Sequence, residues 1–528
     1  MRNFHLPGRS PVYARRVMAA TSHPLATDMA VGVLAQGGNA VDAAIAASAV
    51  LAVVEPHMTG IGGDCFAMLA KPDGELVALN AAGRAAAYAT PDALAAAGVA
   101  EIEISSPHAV TIPGAIDGWA RLLTDHGTWS MARCLQAAVG YARDGFVVAP
   151  RVASDWATLV EKLSIHQGAR QHLLFDGKAP EVGQIVRFPA LADTLQAIAD
   201  GGRDAFYTGA LADDMVTTLQ ALGGGHTQAD FAAQASSYVT PISVDYGDLT
   251  IHELPPSNHG IVALIMLRML DRLGRLSDDP MSPERYHVMI EAARLAYAMR
   301  DRFVADPDMA DVPVDHMLSD ETIDTLVARI DRTRRTDTLG PPPQPAGSDT
   351  VYLSVVDESG LAVSFINSVY SGFGSGIVTE ASGIWLHNRA QGFSLDPAHP
   401  NVIAPGKRPM HTLVPAMATR DGKPVMSFGV MGAAFQPAGH VYVVTNMGDY
   451  GMDPQEALDF PRVFFDGDRV EVEEGVPQVV RDGLAALGHT VGVRAEPWGG
   501  GQIICIDPHT GVRIGASDPR KDGLAMGF

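Results

Sequence analysis

Apolar and polar positions along the chain fall into two regimes that meet near residue 350. In the first, apolar positions recur at helical spacing. Gly37-Gly38-Asn39-Ala40-Val41-Asp42 reads as a turn feeding a helix, with Asn39 as N-cap and Asp42 at the third position, where a carboxylate suits the helix N-terminus. That helix runs to about Glu55, where Pro56 ends it, and its small residues on every side predict close packing in a large core. Residues 65–80 read as a hairpin around Pro72-Asp73-Gly74. Helices fill 115–235, with breaks at the glycines near 145, 201 and 223. A turn at 255–260 precedes another helix, and 284–303 has helical period with Tyr286, Ile290, Ala293 and Tyr297 on one side. Residues 331–349 are polar and proline-rich without apolar period, the clearest boundary in the chain. Beyond it the pattern turns to strands: 350–356 and 361–368 joined by Glu358-Ser359-Gly360, then 376–387, 412–419, 424–430 and 501–506, with one helix near 436–448. No internal repeat is visible.

Length and composition narrow the reading. The 528 residues exceed one ordinary core and predict two domains or one large layered unit. Apolar residues make up 47% and charged residues 19%, the balance of a soluble globular protein. A net charge of −22 repels phosphate backbones and argues against nucleic acid as a partner. Cys65, Cys134 and Cys505 are too few and too scattered for a disulfide framework or a zinc knuckle. The first sixteen residues lack an apolar stretch after their basic residues, so no secretory signal is read, and the apolar run 43–54 is too short to span a bilayer. A cytoplasmic protein is expected, without a membrane partner. The eighteen histidines show no His-Glu-x-x-His spacing, and neither a metal nor another cofactor is expected.

The candidate chemistry lies at the boundary itself. Pro341-Pro342-Pro343-Gln344-Pro345-Ala346-Gly347-Ser348-Asp349 leads into Thr350, which opens a strand. A threonine hydroxyl is a weak nucleophile and needs a base. Cleavage between Asp349 and Thr350 turns the threonine nitrogen from an amide into an α-amine with a reference pKa of about 7.7–8.0, suited to a general base near neutral pH. The hydroxyl and its base then share one residue, and the β-methyl restricts χ1 and helps aim the hydroxyl. The cut itself uses the same hydroxyl on the Asp349 carbonyl, by an N-to-O acyl shift followed by water. Taken alone, Asp349-Thr350 reads as a linker meeting an ordinary strand, and the rest of the chain has to carry the nucleophile reading.

The surrounding motifs bear on that choice. Gly37–Ala43 and Gly60-Ile61-Gly62-Gly63, Pro113-Gly114 before Gly118-Trp119, Ala142–Phe146, Phe206–Gly209, Glu291-Ala292 before Asp306-Pro307, Gly374–Ile377, Lys407-Arg408-Pro409 and Gly515–Arg520 together resemble the γ-glutamyltransferase (γ-glutamyltranspeptidase) family of N-terminal-nucleophile hydrolases. The resemblance covers nearly the whole chain and is carried by the order and spacing of these motifs. It implies an α+β fold, a four-layer αββα sandwich, made as a self-cleaving proenzyme. Residues 1–349 would form the large subunit, with 331–349 as processing linker, and 350–528 the small one. The partner of each fragment would be the other, with a dimer of such pairs left open. Thr350 takes the nucleophile position and Ser368 that of a second hydroxyl near the new amine. Gly432 and Ala433 take the places of a glycine pair whose N–H groups form the oxyanion hole. Alanine is tolerable there if its φ is negative, because the donor is backbone. His411 and Thr412 replace two serines. Thr412 keeps a hydrogen-bonding hydroxyl, and His411 is either a donor or a structural histidine.

Several positions depart from the γ-glutamyl pattern. Arg84 matches the carboxylate-binding arginine, with Ala85 in place of the acidic residue after it. Where the family holds the substrate amine, an asparagine is replaced by Tyr370, a glutamine by Arg389 and an aspartate by Gly392. A substrate ammonium loses its charge partner and meets a cation instead, so an anionic acyl group without an amine is favoured. The segment 393–407 is shorter than in relatives with a lid. The lidless branches the resemblance implies hydrolyse oxamate to oxalate, cleave glutaryl groups from cephalosporins or act on glutathione. An oxamate amidohydrolase-like activity is expected, with γ-glutamyl amides and glutaryl-cephalosporins as alternative substrates. Gly372-Phe373-Gly374-Ser375-Gly376 lacks the lysine of a phosphate loop and reads as a turn beside the site. The non-enzymatic alternative is an inert scaffold with the same fold.

Overall fold

The computed structural model describes residues 8–336 and 350–528. Two seven-stranded antiparallel sheets carry the fold. One runs Val12–Ala14, Arg513–Ser517, Gly500–Ile506, Lys423–Met431, Ala416–Arg420, Leu249–Glu253, Ile242–Tyr246. The other runs Leu524–Gly527, Met18–Thr21, Val351–Val356, Ala362–Ser368, Asp64–Ala70, Leu76–Ala81, Ser237–Val239. Every residue of Val351–Val356 and Ala362–Ser368 is buried, so both faces of their sheet are covered. An antiparallel strand open to water on one face alternates instead.

The two sheets meet through small and hydroxylic side chains. Ser354 Oγ lies 2.9 Å from Ser427 Oγ, and the Tyr352 hydroxyl lies 2.8 Å from Ser354 Oγ and 2.7 Å from Ser364 Oγ. Gly429 makes room for the Tyr352 ring, which a Cβ there would strike. Outside the second sheet lies the helix Ala40–Val54, buried along its whole length. Its N-terminus is the expected capping box: Asn39 Oδ1 accepts from the Val41 and Asp42 amides, and Asp42 accepts from the Asn39 amide. Outside the first sheet lie the helices Ile261–Leu273, Pro283–Phe303 and Gln436–Gly448. The result is helix, sheet, sheet, helix, the αββα order.

Most sequence-based elements appear within a residue or two, with three differences, the first being that the strand expected over 412–419 begins only at Ala416 and runs to Arg420. Residues 376–387 form turns rather than a strand: only an isolated Val378–Trp385 bridge joins them, and positive φ at Gly376 and Gly383 breaks any ladder. Their apolar side chains are buried all the same, which is why the run mimics a strand. The helix Pro283–Phe303 is buried on nearly all sides rather than one. Its polar residues find partners inside: Arg285 donates to Thr445 Oγ1 at 3.0 Å and Asn446 Oδ1 at 2.5 Å. Among the described residues, no helix is long and apolar enough to cross a membrane.

Candidate active site

Antiparallel register explains why Thr350 and Ser368 belong together. Val351 pairs with Asn367 and Val356 with Ala362, so continuing one step beyond the ladder sets Thr350 opposite Ser368. Thr350 Oγ1 donates to Ser368 Oγ at 3.3 Å, and both residues are buried. Ser368 Oγ also accepts the Tyr370 amide at 2.8 Å. On its other side Ser368 pairs with Asp64, the first residue of the next strand. Thr350, Ser368 and Asp64 thus end three adjacent strands on one edge. Asp349 lies outside the described residues.

Asp64 is the residue that sequence reasoning missed. Its Oδ1 accepts the amides of Gly83 at 2.9 Å and Gly114 at 3.0 Å. Its Oδ2 faces His411 Nε2 at 3.1 Å and His387 Nδ1 at 3.4 Å. Burial pushes this carboxyl up, but His387 and His411 outweigh it and hold the group well below the usual carboxylate range. His411 goes the other way: burial, then the nearby charge of Arg389, lowers it to about 3 against the pull of Asp64. At neutral pH His411 is therefore an uncharged donor from Nε2, while its Nδ1 accepts the Leu413 amide at 3.3 Å. Of the two readings of His411 from sequence, this geometry makes it a tether on Asp64. The glycines before Asp64 allow the close approach: a Cβ at Gly63 would strike the Ser368 carbonyl, and one at Gly62 the Trp385 carbonyl.

The acyl-side residues form a second group. Arg389 is fully buried, and its Nη1 donates to Thr412 Oγ1 at 2.9 Å, so Thr412 acts as an acceptor here. The Tyr370 ring covers the guanidinium with its centroid 3.5 Å from Cζ. Tyr370 itself has φ of 80°, a conformation costly for a bulky side chain. Arg389 Nε and Nη2 have no hydrogen-bond partner among the described residues. Burial lowers the guanidinium below its ordinary value, against the pull of Tyr370 and Asp64. Gly392 borders the open edge: a Cβ there would lie 3.3 Å from Nη2. Arg84 is partly exposed and already engaged, donating to the Gly406 carbonyl at 2.8 Å and to Asp308 at 3.4 Å. Arg408 shares Asp308 at 3.2 Å. The Asp308 side chain is 61% exposed, so these pairings are weak and exchangeable.

Gly432 and Ala433 follow the strand Lys423–Met431. Ser354 faces Ser427 and Tyr352 faces Gly429, so the same stepping carries Thr350 toward Met431 and Gly432. The condition set for Ala433 is not met: its φ is +46°, after +128° at Gly432. The strand must turn at once into the short 3-10 helix Ala433–Phe435 and then the helix Gln436–Gly448, and two positive φ values make that turn. A left-handed alanine costs roughly 1–2 kcal/mol, and such strain persists where the surroundings enforce it. The segment 393–407 folds on itself, with paired amides at Ser394–Asn401 and Ile403–Ser394 and Lys407 Nζ on the Pro400 carbonyl.

Comparison with known proteins gives this geometry its context. The sequence model described as gamma-glutamyltranspeptidase matches residues 26–528. The chain is 37% identical over 527 residues to an oxamate amidohydrolase proenzyme of Klebsiella pneumoniae, covering 97% of this chain and 98% of the relative. It is 36% identical to the glutathione hydrolase-like YwrD proenzyme of Bacillus subtilis, over 98% and 99% of the two chains. The crystal structure of a cephalosporin acylase from Bacillus halodurans superposes with a TM-score of 0.92 at 37% identity, over 100% of this chain and 99% of the other.

Proposed function

The chain belongs to the gamma-glutamyltranspeptidase family and is an enzyme of its hydrolase type; we propose that it is a self-cleaving N-terminal threonine amidohydrolase for small anionic acyl amides, oxamate foremost. Its four-layer sandwich is the N-terminal-nucleophile hydrolase fold. The observation that carries the substrate assignment is Arg389, a buried guanidinium that has, among the described residues, two nitrogens without a hydrogen-bond partner and no carboxylate in contact. A cation held this way is costly until an anion arrives. Oxamate brings a carboxylate and carries no ammonium for Arg389 to repel. The name of the Klebsiella relative points the same way.

Cleavage before Thr350 frees its amine, which takes the proton of Oγ1 as the hydroxyl attacks the amide carbon. Ser368, already in hydrogen-bond reach of Oγ1, holds the nucleophile in line. The Gly432 and Ala433 amides receive the developing oxyanion. Collapse expels ammonia, with the proton returned from the threonine amine, and leaves an ester on Oγ1. Water, deprotonated by the same amine, attacks that ester, releases the acid and restores Thr350. Arg389 takes the substrate carboxylate from within, and Arg84 meets it at the rim after exchanging Asp308. Asp64 is a positioning residue: it ties the Ser368 strand to the Gly83 and Gly114 turns and to His411.

The test is direct. Purified protein should run as two fragments meeting at 349/350 and release ammonia from oxamate, and Thr350→Ala should stay whole and inert. Full activity in molecules with an unbroken backbone at that bond would end the nucleophile assignment. Brisk turnover of a γ-glutamyl anilide without ammonia from oxamate would end the substrate assignment.

A further inference from the structure

We propose that His287, Glu291 and His489 form a divalent metal site of the zinc class, joining residues from either side of Thr350. The three side chains are buried, and one ligand atom from each lies within 4.8 Å of the others. His287 and Glu291 are four residues apart on the helix Pro283–Phe303, hence on one face. His489 arrives from the turn between the helix Gln478–Ala486 and the strand Thr490–Val493.

The donor set is prepared as a metal site requires. His287 Nε2 donates to the Asp331 carbonyl at 2.7 Å, which leaves the Nδ1 lone pair pointing inward. Such an outer hydrogen bond from a ligating histidine to a carbonyl fixes tautomer and ring orientation. His287 Nδ1 lies 2.7 Å from His489 Nε2, so one proton bridges the two rings. A metal would take that place, while the His489 proton moves to Nδ1. Two nitrogens on one tetrahedral zinc sit about 3.3 Å apart at bond lengths of about 2.0–2.1 Å, so the rings need separate by only about 0.6 Å.

Glu291 is the shared group. Its Oε1 accepts from Arg294 at 3.1 Å and its Oε2 from the Thr336 amide at 3.0 Å. A carboxylate offers about four lone-pair positions, so it can keep Arg294 and still bind a metal. The charged groups around the cluster are Arg294 and Arg335, which oppose a cation, and Glu291 and Asp468, which favour one. Asp468 holds Arg335 and lies 3.9 Å from Arg294, drawing both away. Two imidazoles and one carboxylate select zinc, cobalt or nickel over magnesium and calcium.

The test uses full-length protein stripped with a chelator and titrated with Zn2+, Co2+ and Mg2+. Zn2+ should bind at one per chain in competition with a chromogenic chelator. Co2+ should give the intense visible bands of a tetrahedral site, Mg2+ should not compete, and Zn2+ should raise the thermal midpoint. His489→Gln and Glu291→Gln should each weaken Zn2+ on the order of 100-fold, at least the loss seen on removing an outer partner. Absence of saturable one-to-one binding by the unaltered protein would overturn the proposal without need of a variant. So would equal affinity in folded His489→Gln, which would mark surface binding, or Mg2+ binding as tightly as Zn2+. The site stands apart from the catalytic reading, and oxamate turnover decides neither outcome.

Discussion

Replacing Arg389 by glutamine should set activity and stability moving in opposite directions. The guanidinium is fully buried, stacked under Tyr370, and donates through Nη1 to Thr412. Hydrogen bonds to a charged group contribute about 1.5–3 kcal/mol, so losing the carboxylate contact should lower kcat/KM for oxamate by about 10–150-fold. The resting enzyme should gain. Replacing buried ionic groups by neutral ones is often stabilising by about 1–4 kcal/mol, and loss of the Tyr370 stack returns about 0.5–2 kcal/mol of that. Taking the middle of each range, a net rise of about 1 kcal/mol in unfolding free energy is expected for Arg389→Gln without substrate. Coupled ammonia release gives the first quantity and urea unfolding the second. The γ-glutamyl anilide serves as a control, because its ammonium is repelled by Arg389 and its relative rate should rise. Oxamate kinetics within about twofold of the parent, or a clear loss of stability, would refute the account of Arg389.

Other consequences are open to measurement. Ala433→Gly relieves the left-handed alanine at φ +46° and keeps the backbone donor, so stability should rise by up to about 1 kcal/mol with turnover retained. A large loss of kcat would show that the alanine methyl, and not only its amide, matters. Burial lowers His23 and His226 to about 4 and His411 and His489 to about 3. A histidine whose folded pKa lies below its unfolded value of about 6.5 adds stability that is complete above that value and is lost as pH falls toward the folded pKa. Acidification from pH 6.5 to 5.5 should therefore cost about 1 kcal/mol per histidine. Glu55 and Glu253, raised by burial, offset part of this at lower pH. Thermal midpoints across that range should fall, and His226→Gln should flatten the slope. A flat profile for the parent would contradict the neutral, buried histidines.

What the sequence made legible was local. Thr350 and Ser368 could be paired from sequence because one hairpin carries both, and the Asn39 cap because four consecutive residues build it. Asp64 could not, because its partners Gly83, Gly114, His387 and His411 come from four separate segments and meet only by sheet order. The changes at Tyr370 and Arg389 were visible as letters, yet the burial of the guanidinium belongs to packing. The metal-ligand candidates escaped for the same reason as Asp64: His489 lies far along the chain from the helix that carries the other two. Residues 376–387 misled because burial of Ile377, Val378, Ile384, Trp385 and Leu386 gives a loop the apolar content of a strand.

The order of strands has a practical corollary for anyone handling this protein. Met18–Thr21 lies between Leu524–Gly527 and Val351–Val356, while Val12–Ala14 and Leu249–Glu253 flank strands from the C-terminal part in the other sheet. Two products of a nick before Thr350 would remain woven through each other, each missing the neighbours that complete its ladders. They should elute together through any column that leaves the ladders intact. Halves synthesised separately and then mixed should aggregate through their bare edges rather than assemble.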